Sequence, residues 1–158
     1  MNRFEKRFLM KAIRLAGENI QHGNGGPFGA VIVKNGKIIA TGCNHVTTAM
    51  DPTAHAEIVA IRNACKKLND FQLTGCELYS SCEPCPMCLG AIYWARPDRF
   101  YFAASKKDAA NAGFDDSLIY EEIGLPPSER RIPGIQKPQE EALKVFKIWN
   151  QLEKKTEY

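Results

Sequence analysis

The sequence predicts an α/β fold built on a layered sheet, and three observations carry that expectation. Segments with helical spacing of apolar residues alternate along the chain with short β-prone runs. Between them stand a Gly-rich loop, an Asn-Gly dipeptide and an Asp-Pro-Thr turn, the punctuation that separates such elements. Length is sufficient: 158 residues, 44% of them apolar and with no low-complexity tract or internal repeat, suit one domain (1–158) able to bury a real core.

Phe4, Phe8, Leu9, Ala12, Ile13, Ala16 and Ile20 recur at helical spacing, so the first element is an amphipathic helix ending near His22 and Gly23. Asn24-Gly25-Gly26-Pro27 breaks it. Residues 29–33 and 37–40 flank Lys34-Asn35-Gly36, and this pattern reads as a hairpin whose second strand reaches Asn44. The turn Asp51-Pro52-Thr53 introduces a helix over 54–68, which puts His55 and Glu57 in its first turn. A strand over 76–80 is followed by a helix over 84–95, where Cys85 and Cys88 share one face. Residues 99–103 read as a strand, 116–123 as a short helix, and 140–153 as a terminal helix with Leu143, Phe146, Ile148, Trp149 and Leu152 as apolar positions. Pro126, Pro127, Pro133 and Pro138 mark 124–138 as an extended connector.

Charge excludes little on its own, with 21 basic residues against 18 acidic and a net charge of +3. The basic residues are scattered in pairs such as Lys66-Lys67 and Arg130-Arg131, which suit solvated faces and argue against a nucleic-acid stripe. No apolar run is long enough to span a bilayer, and the N-terminus lacks a signal-peptide core, so no membrane association is expected. Three of the six cysteines fall within seven residues, which fits a metal site in a reducing cytoplasm better than a disulfide framework. Cys43, Cys65 and Cys76 stand singly among apolar neighbours as small hydrophobes.

The chemistry resides in His55-Ala56-Glu57 and Pro84-Cys85-Pro86-Met87-Cys88. Imidazole and thiolate are ligands that Zn2+ favours, and three protein ligands leave a fourth tetrahedral position for water, the arrangement of a catalytic site. Both ligand groups are predicted at helix N-termini, where the dipole favours thiolate over thiol. The alternative is a closed structural site using Cys82, since Cys82-Glu83-Pro84-Cys85 is itself a C-x-x-C. With Pro84 opening the helix, Cys82 lies on the preceding strand or turn, and the open site is the better reading. Glu57 is too near His55 for a comfortable co-ligand yet close enough to move protons beside the metal. H-x-E together with P-C-x-x-C is the signature of zinc deaminases of nucleobases.

On these residues, and on the blocks 25–33, 51–57, 81–96 and 112–117 with Glu157-Tyr158, the chain resembles the cytidine and deoxycytidylate deaminase superfamily over nearly its whole length, and most closely its bacterial guanine-deaminating branch. The resemblance implies a three-layer α/β/α fold with a central mixed sheet. It implies hydrolytic deamination of guanine to xanthine and ammonia, a step of purine metabolism, with zinc on His55, Cys85 and Cys88. Glu57 would be the general acid/base and Asp116 a base-binding carboxylate able to share the proton traffic. Phe28 would stack on the purine base, Asn44 would hydrogen-bond it, and Ala54 would line the pocket. Trp94, a large flat side chain after the metal helix, would wall a purine pocket, the alternative being a plain core Trp. For Asp116 the alternative is a solvated helix cap.

Tyr158 would close over the site, with the C-terminal segment exchanged between the subunits of a homodimer, for which the Pro-rich connector gives a hinge. Enzymatic rivals are deamination of guanosine, of cytosine and of adenosine in tRNA. A zinc-stabilised scaffold is the non-enzymatic rival, and the presence of Glu57 counts against it.

Overall fold

In the computed structural model, which describes residues 4–137 and 139–158, the first helix, α1 (Lys6–Gln21), ends where the periodicity predicts. Pro138, one of the connector prolines, lies outside the described residues. The Asn-Gly signal produces its hairpin: strands β1 (Gly29–Lys34) and β2 (Lys37–Cys43) pair antiparallel around Asn35 and Gly36, both at positive φ. One helical turn, α2 (Val46–Ala49), precedes α3 (Ala56–Leu68). Strand β3 (Cys76–Cys82) and helix α4 (Pro86–Ala95) follow, then strand β4 (Arg99–Ala104) and helix α5 (Lys106–Asn111).

The sheet order is β2-β1-β3-β4, antiparallel except for the parallel β3/β4 pair. The mixed sheet has helices on both sides. Period-two alternation divides it between them. Val31, Val33 and Tyr79 face Phe8 of α1, whereas Ala30, Ile32, Ala40 and Leu78 face Ala56, Ala60 and Ala64 of α3 and Ile92 and Ala95 of α4. Helix α3 approaches β2 closely enough that a Cβ at Gly42 would collide with the backbone of Ala56 and Ala60. The seam of glycine and alanine therefore sets how near the metal helix lies to the sheet.

Two compact units make up the chain, residues 4–116 and 117–158. The second holds α6 (Ser117–Glu122), a 3₁₀ turn over Pro127–Glu129 and α7 (Glu140–Gln151). In it Arg130 donates to the carbonyls of Ile123 and Leu125, closing the first part of the connector on itself.

Helix α4 corrects the expected start. It begins at Pro86, and Cys85 is its N-cap in extended geometry (φ −64°, ψ 168°). A residue before proline is pushed out of the helical region, while proline itself suits the first helical position. Cys85 and Cys88 therefore approach one another as N-cap and third helical residue. Likewise His55 is the N-cap of α3 (φ −71°, ψ 155°), with Glu57 inside the first turn.

Candidate active site

Two helix N-termini meet in the first unit. His55 Nδ1 lies 3.5 Å from Cys85 Sγ and 3.5 Å from Cys88 Sγ, and the three ligand atoms fall within 4.8 Å of one another. Bonds of about 2.0–2.3 Å in a tetrahedron place neighbouring ligand atoms roughly 3.5–3.8 Å apart, so this donor set and spacing fit zinc. Cys82 is not in the group: its thiol points to the Ser105 carbonyl at 3.6 Å, and burial pushes its pKa up to about 11. Three candidate protein ligands remain, the number that in a tetrahedral zinc site leaves a fourth position for water.

Electrostatics sort the ligands. The Cys85 thiol is held down to about 4, chiefly by the hydrogen bond from Cys88 and also by His55. Cys88 moves the opposite way, because its proton is the one shared with Cys85 and because it is buried. His55 rises, first through its hydrogen bond with Cys85. The pair thus favours one thiolate, Cys85, at a helix N-terminus.

Glu57 is 5% exposed, and burial is the main cause that raises its pKa. Its Oε2 lies 3.4 Å from Cys88 Sγ, facing the cluster, while Oε1 accepts from Ser80 Oγ at 3.1 Å. A buried carboxyl whose proton affinity is raised, beside a metal-binding group, has the placement and chemistry of a general acid/base.

The base-binding candidates divide. Asn44 is 7% exposed, and its Oδ1 accepts from Gly26 N at 3.2 Å and Val46 N at 3.3 Å. With the oxygen engaged, Nδ2 is the end offered to a ligand, so Asn44 acts as a donor. Phe28 packs edge-to-face on Phe114, centroids 4.9 Å apart. Ala54 is buried immediately before His55, its carbonyl accepting from His45 N at 2.9 Å. Asp116 is half-buried and its pKa is raised, first by desolvation, with the Cys85 charge contributing.

Trp94 stands elsewhere. It follows Cys88 by six residues, about 9 Å along the helix and on another side of it, and it is 62% exposed. An aromatic wall supplied by Trp94 to its own chain's site does not follow from this placement. Tyr158 belongs to the second unit.

Two residues that the sequence reading missed complete the site. Asn19, on the apolar stripe of α1 and 3% exposed, donates through Nδ2 to the carbonyls of Gly26 and Asn44, both at 2.9 Å. Ser80, 1% exposed on β3, holds Glu57. Each carries a readable sign, a polar residue at a position whose period demands an apolar one.

Comparison with known proteins agrees with this geometry. Residues 2–104 match the family described as the cytidine and deoxycytidylate deaminase zinc-binding region. The guanine deaminase of Bacillus subtilis (strain 168) is 60% identical over 151 residues, 96% of this chain and 97% of that protein. An X-ray structure of guanine deaminase from Bacillus subtilis superposes with a TM-score of 0.95 at 58% identity, covering 100% of this chain and 99% of that one. A guanine deaminase structure from Nitrosomonas europaea gives 0.68 at 32% identity, over 82% and 70% of the two chains. The tRNA-specific adenosine deaminase of Aquifex aeolicus (strain VF5) is 46% identical over 100 residues, 63% of this chain and 66% of that protein. The chain belongs to the cytidine and deoxycytidylate deaminase family.

Proposed function

We propose that the protein is a zinc-dependent aminohydrolase that converts guanine and water to xanthine and ammonia. The observation that carries the choice of guanine is the donor and acceptor pattern beside the metal cluster. Asn44 presents an amide donor because its oxygen is occupied, and Asp116 presents acceptors. Guanine offers the complement, a carbonyl oxygen with a ring nitrogen on one side and N–H groups on the other. Adenine has an amino group in place of that carbonyl and meets Asn44 donor to donor. Near-complete alignment with a guanine deaminase, against partial alignment with tRNA deaminases, supports the same choice.

His55, Cys85 and Cys88 would hold the zinc ion, which when bound would supply a Lewis acid that brings the pKa of a bound water towards neutrality. Phe28 and Ala54 seat the ring. Glu57 Oε2 takes a proton from the water that attacks C2 and delivers it to the adjacent ring nitrogen; it then takes the remaining proton of the added hydroxyl and passes it to the amine, so that the C2–N bond breaks and ammonia leaves xanthine behind. Asp116 orients that amine and shares the proton traffic.

The resemblance read from the sequence also supports a homodimer in which the C-terminal segment is exchanged and Tyr158 covers the partner's site. Among the described residues no helix is long and apolar enough to cross a membrane, and all six cysteines are free, which supports a reducing, cytoplasmic setting.

Ammonia release from guanine, guanosine, cytosine, adenine and a tRNA anticodon stem-loop tests the reading in one panel. Guanine is expected to dominate. Strong release from the stem-loop with none from guanine overturns it, and stoichiometric zinc without turnover on any base points instead to a scaffold.

A further inference from the structure

The two oxygens of Glu57 have different neighbours. Oε2 faces Cys88 Sγ at 3.4 Å, whereas Oε1 accepts from Ser80 Oγ at 3.1 Å. Nothing within a glutamate makes that distinction, because its terminal torsion is broad and roughly two-fold. The surroundings must impose it. Ser80 is 1% exposed on the central strand β3, between Ala30 of β1 and Phe102 of β4. Its hydroxyl oxygen is approached by Cys82 N at 3.4 Å, leaving the hydroxyl proton directed to Glu57.

A rigid strand thus reaches into the site from below the metal helices. It holds one carboxylate oxygen and leaves the other to the cluster.

We propose that Ser80 is a positioning residue for Glu57, fixing which carboxylate oxygen faces the metal cluster and so moves the proton. The inference rests on the reading of Glu57 as the proton-transfer group. Ser80 acts through Glu57 and has no assigned contact with the base, so its loss lowers turnover while leaving substrate affinity intact. A merely space-filling serine predicts the opposite, reduced thermal stability with normal kinetics.

The experiment uses full-length, zinc-loaded protein and compares Ser80→Ala, Ser80→Thr, Glu57→Gln and the Ser80→Ala/Glu57→Gln double variant. Loss of a hydrogen bond to a charged group corresponds to about a 10- to 100-fold fall in kcat for Ser80→Ala, with KM on guanine within about twofold and zinc content at the parental level. Ser80→Thr retains the hydroxyl and restores most of the turnover. In the Glu57→Gln background Ser80→Ala adds little further loss, since the two act as a unit. A readout independent of turnover follows the same cycle: melting-temperature losses of the zinc-loaded single variants fail to add in the double.

Parental kcat in folded, zinc-replete Ser80→Ala overturns the proposal. Additive losses in both cycles also overturn it. Should Ser80→Ala not fold, Ser80→Cys keeps the shape with a weaker donor; lowered kcat at unchanged KM supports the role, and parental kcat sinks it. Near-parental turnover in Glu57→Gln defeats the underlying reading instead, which keeps the two failures distinct.

Discussion

The side-chain amide of Asn19 donates to the backbone carbonyl of Asn44 at 2.9 Å, linking the first helix to the residue proposed to bind the base. The same nitrogen reaches Gly26 O, and Gly26 N in turn donates to Asn44 Oδ1. Replacing Asn19 by Leu, similar in volume but unable to donate, removes the donor from the buried Asn44 carbonyl, while Gly26 O keeps its bond from Phe28 N, at a cost of about 1–3 kcal/mol. KM for guanine is expected to rise about tenfold, with a smaller change in kcat, as Asn44 loses its fixed orientation. Steady-state kinetics check this, and an unchanged KM removes Asn19 from the base-binding network.

Glu57→Gln preserves shape and removes the ionisable group. Turnover should fall by at least ~10² while zinc stays stoichiometric, because His55, Cys85 and Cys88 are untouched. Kinetics beside elemental analysis decide it, and turnover near the parental level excludes Glu57 from proton transfer.

Stripping the metal should expose an uneven pair of thiols. Cys85 is the thiol held down, by the hydrogen bond from Cys88 and by His55, whereas Cys88 is held up by the same bond and is buried. In chelator-treated protein at pH 6, iodoacetamide should modify Cys85 ahead of the other five cysteines, and zinc should suppress the reaction. Peptide mapping by mass spectrometry reads the order. Equal labelling of Cys85 and Cys88 contradicts it.

An alkaline effect arises on the opposite face of the sheet. Tyr79 donates to Glu77 Oε2 at 3.0 Å, and burial pushes its pKa from 10.0 up to about 12. A raised tyrosine pKa means that the fold favours the neutral phenol. Its contribution is therefore fully present below pH 10 and is lost as pH rises through 12. Tyr79→Phe should flatten the fall in stability between those values while lowering stability at neutral pH by about 1–3 kcal/mol, as Glu77 loses a donor. Urea unfolding at stepped pH measures both, and parallel curves for the two proteins speak against the assignment.

The proposed exchange of the C-terminal segment has its own test by complementation. A chain lacking Tyr158 keeps Glu57, and a Glu57→Gln chain keeps Tyr158. Mixed by unfolding and refolding, the two inactive chains should regain roughly a quarter of parental activity if the tail serves the partner's site, since about half the dimers are mixed and each holds one intact site. No recovery in proven heterodimers argues that the tail serves its own chain.

Local patterns were the legible part of this protein. Apolar spacing marked α1 and α3, Asn35-Gly36 marked the hairpin, and the two short motifs marked the residues that cluster as His55, Cys85 and Cys88, with Glu57 beside them. Short elements were read unevenly: Ser117–Glu122 was expected as the helix over 116–123, whereas Val46–Ala49 is shorter than any period can register. Lys106–Asn111 had only its Ser105/Asp108 capping box to announce it. The start of α4 was misplaced by two residues because Pro84 and Pro86 both suit a helix start, and the pre-proline restriction on Cys85 decides between them. Asn19 and Ser80 act across 25 and 23 residues, distances at which no spacing rule pairs them with Asn44 and Glu57.

Gly42 has no side chain to offer a metal or a base, yet the helix that begins beside His55 presses directly on it. Any side chain there must lift that helix from the sheet, carrying His55 away from the two cysteines and Glu57 away from Ser80. In a library selected for deaminase activity, position 42 should therefore be as intolerant of change as the metal ligands themselves. Its constraint comes from the thickness of the wall on which the chemistry is mounted.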